Sequence, residues 1–488
     1  MLKRIITLLL LTMLCFGEKI ILTKNKEPQP HQIPPQSHLT VYLVGEQETD
    51  IIPAEHFHTV RFFKNFPLPE LPYRGRIEKK VLVLRVEFIE DDDSATTGNG
   101  KMDLEGFGTP EDGLYYDPPH NKTYFERNMQ FLSNYYKVNS FGQCEVTWTV
   151  KPDGATESYQ LPHKMRYYSG FHHYDQETGF VYYNTYAMDM GLVRILADGV
   201  AAADLDETVD FSEYDEIIVF HAGTLLQTSL NFFRFLDIPS ATIPSGALEY
   251  YLGIPYILAN AGTDTIWQAG INSEMARVDE YMVGEIGTVV HEFGHTLGLP
   301  DLYDITGWSN GVGAWDLMCT GGWVGSPFEG APEGSIPANL GAWSRYAMLW
   351  VNPVVITDPE TLLTLRASEI DTTQYSLINQ TMIKIPISQN EFFLIENRQQ
   401  DIRQKDTIII DAEDGIPISV DYGEYDFFLP GSGILIWHID DNVINANWAY
   451  NALQIDPNHK GVDLEEADGI QHFDAWWYGD SLEYYGSR

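Results

Sequence analysis

The spacing of hydrophobic and polar positions predicts a mixed α/β arrangement in the first two thirds of the chain. Apolar runs rich in β-branched residues, at 79–90, 144–150 and 214–223, are typical of buried strands. Residues 123–142 carry apolar residues at helical spacing and end in glycine, which predicts an amphipathic helix. A further helix is predicted over 338–353, where a proline closes it.

Beyond this point the pattern becomes a series of short strands separated by turn residues. The segments are TLLTLRA, MIKIPI, EFFLIENRQ, DTIIID and GSGILIWHID. We therefore predict an α/β (α+β) domain over residues 77–352, followed by a β-sandwich-like all-β domain over residues 353–488. The final residues, DSLEYYGSR, carry no closing signal, so a longer native chain is compatible with the pattern.

The first residues have the pattern of a secretory signal peptide. Two basic residues precede an apolar run at 5–16 that is too short to span a bilayer, which predicts a signal peptide over residues 1–17 and secretion. Cys15 would suit a lipoprotein anchor, but the bulky Leu14 before it disfavours that alternative. Residues 18–76, rich in Pro and Gln at their start, are predicted to be a prosegment or, alternatively, an extended arm.

Composition narrows the class of protein further. Hydrophobic residues make up 44% and aromatic residues 13% of the chain, which indicates a globular protein. The formal net charge of -40 argues against nucleic acid as a partner, because phosphates need Lys and Arg. Acidic side chains of this number suit a solvated surface or, alternatively, Ca²⁺ binding. After removal of the signal peptide only Cys144 and Cys319 remain, so at most one internal disulfide is possible.

The segment EIGTVVHEFGHTLG has helical apolar spacing and places two histidines on one helix face. His291 and His295 are four positions apart, so their side chains stack roughly 6 Å from each other and can share one Zn²⁺. Glu292 is placed to reach a zinc-bound water rather than the metal. We predict that Glu292 is the general base that activates this water and later protonates the leaving amine.

The third protein ligand is predicted to be a carboxylate beyond this helix. Gly298 ends the helix and permits the backbone to reverse, so Asp301 can return to the same metal. Asp304 is the alternative third ligand, although the spacing and the turn favour Asp301. Further along, GVGAWDLMCTGG places Met318 in a glycine-flanked tight turn, where its thioether can lie under the metal without binding it.

The string H-E-x-x-H-x-x-G-x-x-D, followed by a Met-turn, resembles the metzincin zinc peptidases. More specifically, HEFGHTLGLPDLYD with GAWDLM is similar to the immune inhibitor A family of secreted bacterial metallopeptidases. The segments VLVLRVEF, YDEIIVFHAG, GAWSRYAMLWVNP, EFFLIENRQ and GSGILIWHID extend the resemblance over about residues 77–470.

The resemblance implies a metzincin-like catalytic domain with a long zinc-binding helix. It implies His291, His295 and Asp301 as zinc ligands, Glu292 as general base and Met318 beneath the metal. It also implies secretion as a zymogen, a β-sandwich after the catalytic domain and structural Ca²⁺.

Two positions depart from the pattern of the metzincins. Asp301 stands where many of them have a third histidine, and Thr320 stands where several have a tyrosine. The group that stabilises the oxyanion is therefore unassigned, and His221 and Tyr303 are candidates.

The functional hypothesis is a secreted zinc metalloendopeptidase that acts on proteins and peptides as a monomer. The alternative is a catalytically inactive, Ca²⁺-dependent secreted binding or adhesion protein on a metallopeptidase scaffold. The intact set of motif residues favours the enzyme, because a degenerate site should have lost Glu292 or a ligand.

Overall fold

A computed structural model describes most of the chain from residue 75 to residue 474, together with Phe63, Phe66 and the backbone at 9–10 and 23–24. Within 75–474 the described residues exclude 110–111, 113, 115, 171, 175–180, 229–235, 279–280, 284–285, 307–308, 326–332, 359–362, 370–379, 401, 403–407 and 468–471. Apart from these few positions, the predicted signal peptide and prosegment lie outside the described residues.

Helices and strands alternate through the described chain. The helices are α1 (Lys122–Asn139), α2 (Met165–Tyr168), α3 (Thr185–Ala203), α4 (Ala247–Leu252), α5 (Ile286–Thr296), α6 (Ala342–Ala347) and α7 (Asp441–Asn447). The strands are β1 (Leu9–Leu10), β2 (Thr23–Lys24), β3 (Ile77–Glu87), β4 (Cys144–Lys151), β5 (Tyr159–Gln160), β6 (His172–Tyr174), β7 (Val181–Tyr183), β8 (Glu216–Thr224), β9 (Ala241–Ile243), β10 (Ile257–Ala259), β11 (Asp264–Ile266), β12 (Ala269–Val278), β13 (Tyr281–Val283), β14 (Val354–Val355), β15 (Met382–Pro386), β16 (Glu391–Arg398), β17 (Ile408–Ile410), β18 (Pro417–Val420), β19 (Gly433–Asp440) and β20 (Val462–Leu464).

The first large sheet has seven strands and carries the predicted α/β character. Its strand order is β13-β12-β8-β3-β4, with β5 beside β3 and β9 beside β12. The pairs β12–β8, β8–β3 and β3–β4 are parallel, whereas β9 and β13 run antiparallel to β12. Strand β8 is buried along its whole length, as expected for the centre of a parallel sheet covered on both faces.

Helix α1 supports this sheet and reaches the helix that carries the two histidines. Asn121 caps α1 by accepting hydrogen bonds from the amides of Thr123 and Tyr124. On its buried face, the Tyr136 hydroxyl donates to the backbone oxygen of Val290 in α5 at 2.7 Å. This bond joins the first helix of the fold to the predicted metal-binding helix.

The second large sheet is built from the C-terminal part of the chain. Its order is β14-β15-β16-β19-β20, with β14–β15 parallel and the remaining pairs antiparallel. The prediction of short strands in this region is confirmed for MIKIPI, EFFLIENRQ and GSGILIWHID. The segment TLLTLRA is an exception, since its described part contributes only an isolated bridge between Ala367 and Asn397.

One expectation about this region is not confirmed, and one about the helix that precedes it is corrected. The described residues contain one five-stranded sheet and a separate β17–β18 pair rather than two large facing sheets, so the β-sandwich expectation is not confirmed. The helix predicted over 338–353 forms only over Ala342–Ala347, because Leu349 adopts a positive φ of 57° that ends it.

The two halves share one apolar core. Trp437 of β19 and Leu394 of β16 belong to the same buried cluster as Phe293 of α5 and Val83 of β3. The boundary predicted at residue 353 therefore crosses a continuous hydrophobic interior. In the part of the chain that is described, no helix has both the length and the apolar character needed to cross a membrane.

Candidate metal centre

Helix α5 holds the two histidines and ends as its sequence predicts. It covers 11 residues, which is an average length for a helix, so the expectation of a long zinc-binding helix is not confirmed. Its C-terminus is a Schellman motif: the Leu299 amide donates to Gly294 O at 3.0 Å and the Gly298 amide donates to His295 O at 2.9 Å. Gly298 has a φ of 97°, which only glycine adopts readily. The chain thus reverses directly after the second histidine.

This reversal brings Asp301 to both imidazoles. Its Oδ1 lies 3.3 Å from Nε2 of His291 and 3.2 Å from Nε2 of His295. Two ligand atoms that each sit about 2.0–2.1 Å from a tetrahedral zinc are about 3.3 Å apart. Oδ1 is buried and makes no hydrogen bond of normal geometry. The spacing of these three atoms fits a zinc ion between them.

The outer nitrogens of both imidazoles are held by backbone carbonyl groups. His291 Nδ1 lies 2.9 Å from Leu317 O, and His295 Nδ1 lies 2.8 Å from Leu299 O. A carbonyl only accepts, so each Nδ1 carries a proton, and Nε2 of each ring faces Asp301. Lone pairs that face a carboxylate oxygen require a cation between them, either a proton or a metal ion.

The electrostatics of the cluster show how strongly it attracts such a cation. Burial lowers the pKa of His295, but the carboxylate of Asp301 outweighs burial and raises that pKa to about 9. For Asp301, burial acts to raise the pKa, yet the two imidazoles hold it well below its usual range. A bound divalent ion would replace the proton, so metal uptake should release protons.

Glu292 lies beside the two histidines. A ring nitrogen of His291, a carboxylate oxygen of Glu292 and a ring nitrogen of His295 all lie within 4.8 Å of one another. The hydroxyl of Thr242 in β9 is 2.9 Å from Oε2 and 2.9 Å from the backbone oxygen of Glu292. Sequence reasoning did not identify Thr242, because no local pattern links β9 to a helix 50 residues further along the chain.

Met318 packs under the metal-binding helix. It is fully buried, and a Cβ added to Gly294, which lies between the two histidines, would come 2.5 Å from its Sδ. Its backbone oxygen accepts from the Leu302 amide at 2.7 Å, next to the third candidate ligand. Because Leu317 O contacts His291 Nδ1, this turn contacts both sides of the candidate metal centre.

The other predicted site residues have different surroundings. Asp304 is fully buried, and its Oδ1 accepts from the amide and the hydroxyl of Thr306 at 2.8 and 2.6 Å, so this oxygen serves a local turn. His221 is fully buried in β8 and its pKa is lowered to about 4 by burial, which argues against contact with a substrate. Tyr303 does lie at the site, with its ring stacked 6.5 Å from that of His291.

A buried asparagine from the C-terminal half completes the surroundings of Asp301. Asn451 accepts from the Asp301 amide at 2.9 Å and donates to Asp301 Oδ2 at 2.5 Å. Nothing in the sequence near Asn451 indicates this role, since 150 residues separate the two partners.

Two further sequence predictions concern calcium and disulfides. Among the described residues, the group of side chains close enough together to hold a metal ion is His291, Glu292 and His295, so the Ca²⁺ prediction gains no support. Cys144 and Cys319 are free, buried thiols, and burial raises the pKa of each to about 12.

Two imidazoles, one carboxylate and an adjoining glutamate form the donor set and base that metal-dependent peptidases use. Residues 250–351, which include all of these groups and Met318, match the family model described as immune inhibitor A peptidase M6, catalytic domain. The resemblance to the immune inhibitor A family is therefore confirmed.

Two curated relatives agree with this match. Immune inhibitor A of Bacillus thuringiensis subsp. alesti is 26% identical over 306 residues, which cover 56% of this chain and 41% of the relative. Pre-pro-metalloprotease PrtV of Vibrio cholerae serotype O1 is 27% identical over 178 residues, which cover 32% of this chain and 18% of the relative. The chain thus aligns with less than half the length of either relative. The description of the family model and the name of the Vibrio relative support a metallopeptidase.

Proposed function

We propose that this protein is a secreted, zinc-dependent endopeptidase that hydrolyses peptide bonds in proteins. One observation carries the proposal: Oδ1 of buried Asp301 lies 3.3 Å from Nε2 of His291 and 3.2 Å from Nε2 of His295. Either protons or a metal ion can bridge these atoms, and the donor set of two imidazoles and one carboxylate, with Glu292 beside it, is typical of catalytic zinc.

Zinc bound by His291, His295 and Asp301 would supply a Lewis acid that lowers the pKa of water toward ~7 and polarises a substrate carbonyl. The protein's own contribution to the reaction begins with Glu292, whose carboxylate takes the proton of the attacking water. Thr242 holds the Oε2 atom of Glu292 in place through its hydroxyl. The same carboxyl group then gives the proton to the leaving amine.

Tyr303 is the better of the two candidates for stabilising the oxyanion. Its ring is nearly parallel to that of His291, with the ring centres 6.5 Å apart, whereas His221 is enclosed in the central sheet. We infer that the Tyr303 hydroxyl donates to the developing negative charge on the substrate carbonyl.

Secretion as a zymogen is part of the proposal. It rests on the predicted signal peptide at 1–17 and on the predicted prosegment at 18–76. The name of the Vibrio relative, a pre-pro-metalloprotease, is in keeping with both. Structural Ca²⁺ is retained only as an expectation from the family resemblance.

Metal removal and return test the proposal against the inactive binding protein. The secreted, processed protein should contain about one zinc per chain and cleave casein. A chelator should abolish cleavage, Zn²⁺ should restore it, and His295→Ala should lose both zinc and activity. His438→Ala is the matched control, because His438 pairs with Glu391 in the C-terminal sheet. A zinc-loaded, processed chain that leaves casein intact would support the inactive alternative.

A further inference from the structure

The candidate third ligand is held by a residue from the opposite end of the chain. Asn451 follows α7 and is 2% exposed. Its Oδ1 accepts from the Asp301 amide at 2.9 Å, and its Nδ2 donates to Asp301 Oδ2 at 2.5 Å. One side chain thus contacts both the backbone and the carboxylate of Asp301.

The two oxygens of the Asp301 carboxylate have different partners. Oδ2 is occupied by the amide of Asn451, which leaves Oδ1 to face the two imidazoles. A carboxylate on a short side chain can otherwise rotate and present either oxygen, or both, to a metal ion. Hydrogen bonds from outside the ligand set fix that orientation, and they affect metal affinity because they remove the freedom the ligand would lose on binding.

The backbone around Asn451 directs its side chain toward Asp301. Asp440, the last residue of β19, caps α7 by accepting from the amides of Asn442 and Val443. The chain then turns at Asn451, which has a φ of 52°. Asparagine tolerates this left-handed conformation better than most residues. The path from the C-terminal sheet to Asp301 is therefore short and rigid.

A second contact from the C-terminal half reaches the turn that contains Met318, beside the candidate metal centre. Arg398 of β16 is fully buried and donates to Trp315 O at 3.0 Å. The next residue, Asp316, accepts from the Met318 amide at 2.8 Å. The turn under the metal-binding helix is thus bonded to the same sheet that leads to Asn451.

We infer that Asn451 is a positioning residue of the metal centre, which fixes the Asp301 carboxylate so that Oδ1 faces His291 and His295. The C-terminal β-rich region is then a structural part of the metal centre and not only an appended domain. The inference rests on the proposed function insofar as it takes the occupant of the site to be zinc.

The test measures zinc affinity directly, by competition with a chromophoric chelator. Asn451→Gly removes both hydrogen bonds and keeps the left-handed backbone, since glycine adopts a φ of 52° without strain. Zinc affinity should fall about 10- to 100-fold. Asn260→Gly is the matched control: Asn260 has a φ of 51° and also donates to carboxylates, those of Asp210 and Asp264. Its zinc affinity should equal that of the wild type.

A second variant and a spectrum separate positioning from folding. Asn451→Asp keeps the size of the side chain and its acceptor for the Asp301 amide, but it places an oxygen against Oδ2. This variant should bind zinc more weakly and alter the visible spectrum of the Co²⁺-loaded protein, whereas Asn451→Gly, which adds no charge, should keep the thermal midpoint of the metal-free wild type within a few degrees. Wild-type affinity and spectrum in both Asn451 variants would overturn the inference. So would loss of folding in both, which would assign Asn451 to chain stability instead.

The experiment also separates this inference from the proposed function. A wild-type protein that binds zinc through this site but cleaves no casein would contradict the proposed function and leave the role of Asn451 standing. If the wild type cleaves casein and both Asn451 variants bind zinc with wild-type affinity, the proposed function stands and the role of Asn451 is contradicted.

Discussion

The Thr242 hydroxyl lies 2.9 Å from Oε2 of Glu292, so an edge strand of the large sheet holds the proposed general base. Thr242→Val preserves shape and strand propensity but removes this bond. We expect kcat to fall about 10-fold, equivalent to ~1.4 kcal/mol, with unchanged zinc content. Thr242→Ser keeps the hydroxyl and should stay close to wild type. Equal casein kinetics for Val and Ser variants would show that the bond has no catalytic role.

Asp301 and Asp304 should respond differently to substitution. Asp301→Ala removes the oxygen that faces both imidazoles, so zinc affinity should drop by at least about 100-fold. Asp304→Asn keeps an oxygen that can accept from Thr306 and should retain about one zinc per chain. Zinc content after dialysis measures both. Zinc loss in the Asp304 variant, with zinc kept in Asp301→Ala, would reverse the assignment of the third ligand.

Gly294 should tolerate no side chain, because Met318 fills the space beside it. A Gly→Ala change inside a helix is normally stabilising by about 0.5–1 kcal/mol. At Gly294 the new Cβ would meet Met318 Sδ at 2.5 Å, so we expect destabilisation of about 1–3 kcal/mol instead. Gly199→Ala in α3 is the control, since its Cβ would lie an ordinary 3.5 Å from Val86.

Thermal unfolding of the two glycine variants checks this contrast. The midpoint should fall for Gly294→Ala and rise slightly for Gly199→Ala. A rise in both would mean that Met318 is not packed tightly beneath the metal-binding helix.

A buried histidine outside the candidate metal centre, His120, should make the stability of the fold depend on pH between about 6.5 and 10. His120 lies between Glu274 and Asp117, with its ring nitrogens 2.8 and 3.0 Å from their oxygens. Burial acts to lower its pKa, but the two carboxylates raise it to about 10. Since the folded-state pKa exceeds the unfolded value of about 6.5, this stabilisation is complete below pH ~6.5 and is lost as pH rises toward ~10.

The comparison of wild type with His120→Gln isolates this effect. The difference between their thermal midpoints should be largest near pH 6 and should shrink steadily up to pH 10. A difference that is constant with pH would contradict a protonated His120 in the folded protein.

The sequence predicts those parts of the site that depend on local geometry. The i, i+4 spacing places His291 and His295 on one face of α5, and Gly298 permits the turn that returns Asp301. Thr242 and Asn451 could not be predicted in this way. They reach the site from 50 residues before Glu292 and 150 residues after Asp301, and their roles exist only once the sheets have packed.

The same limit explains the main differences in the fold. Parallel strands were recognisable because both of their faces are buried, as in β8. The helix predicted over 338–353 was too long, because the spacing of apolar residues does not indicate that the backbone turns left-handed at Leu349. The β-sandwich expectation rested on short strands separated by turn residues and on the family resemblance, neither of which determines whether the strands form one sheet or two.

The proposed role of Glu292 is tested most directly by casein hydrolysis and zinc content measured together on Glu292→Gln. Glutamine keeps the size of the side chain and an oxygen that can accept from Thr242, but it cannot take a proton from water. We predict about one zinc per chain, as in the wild type, and hydrolysis reduced by at least about 100-fold. Hydrolysis at the wild-type rate by the zinc-loaded variant would contradict the assignment of Glu292 as the general base.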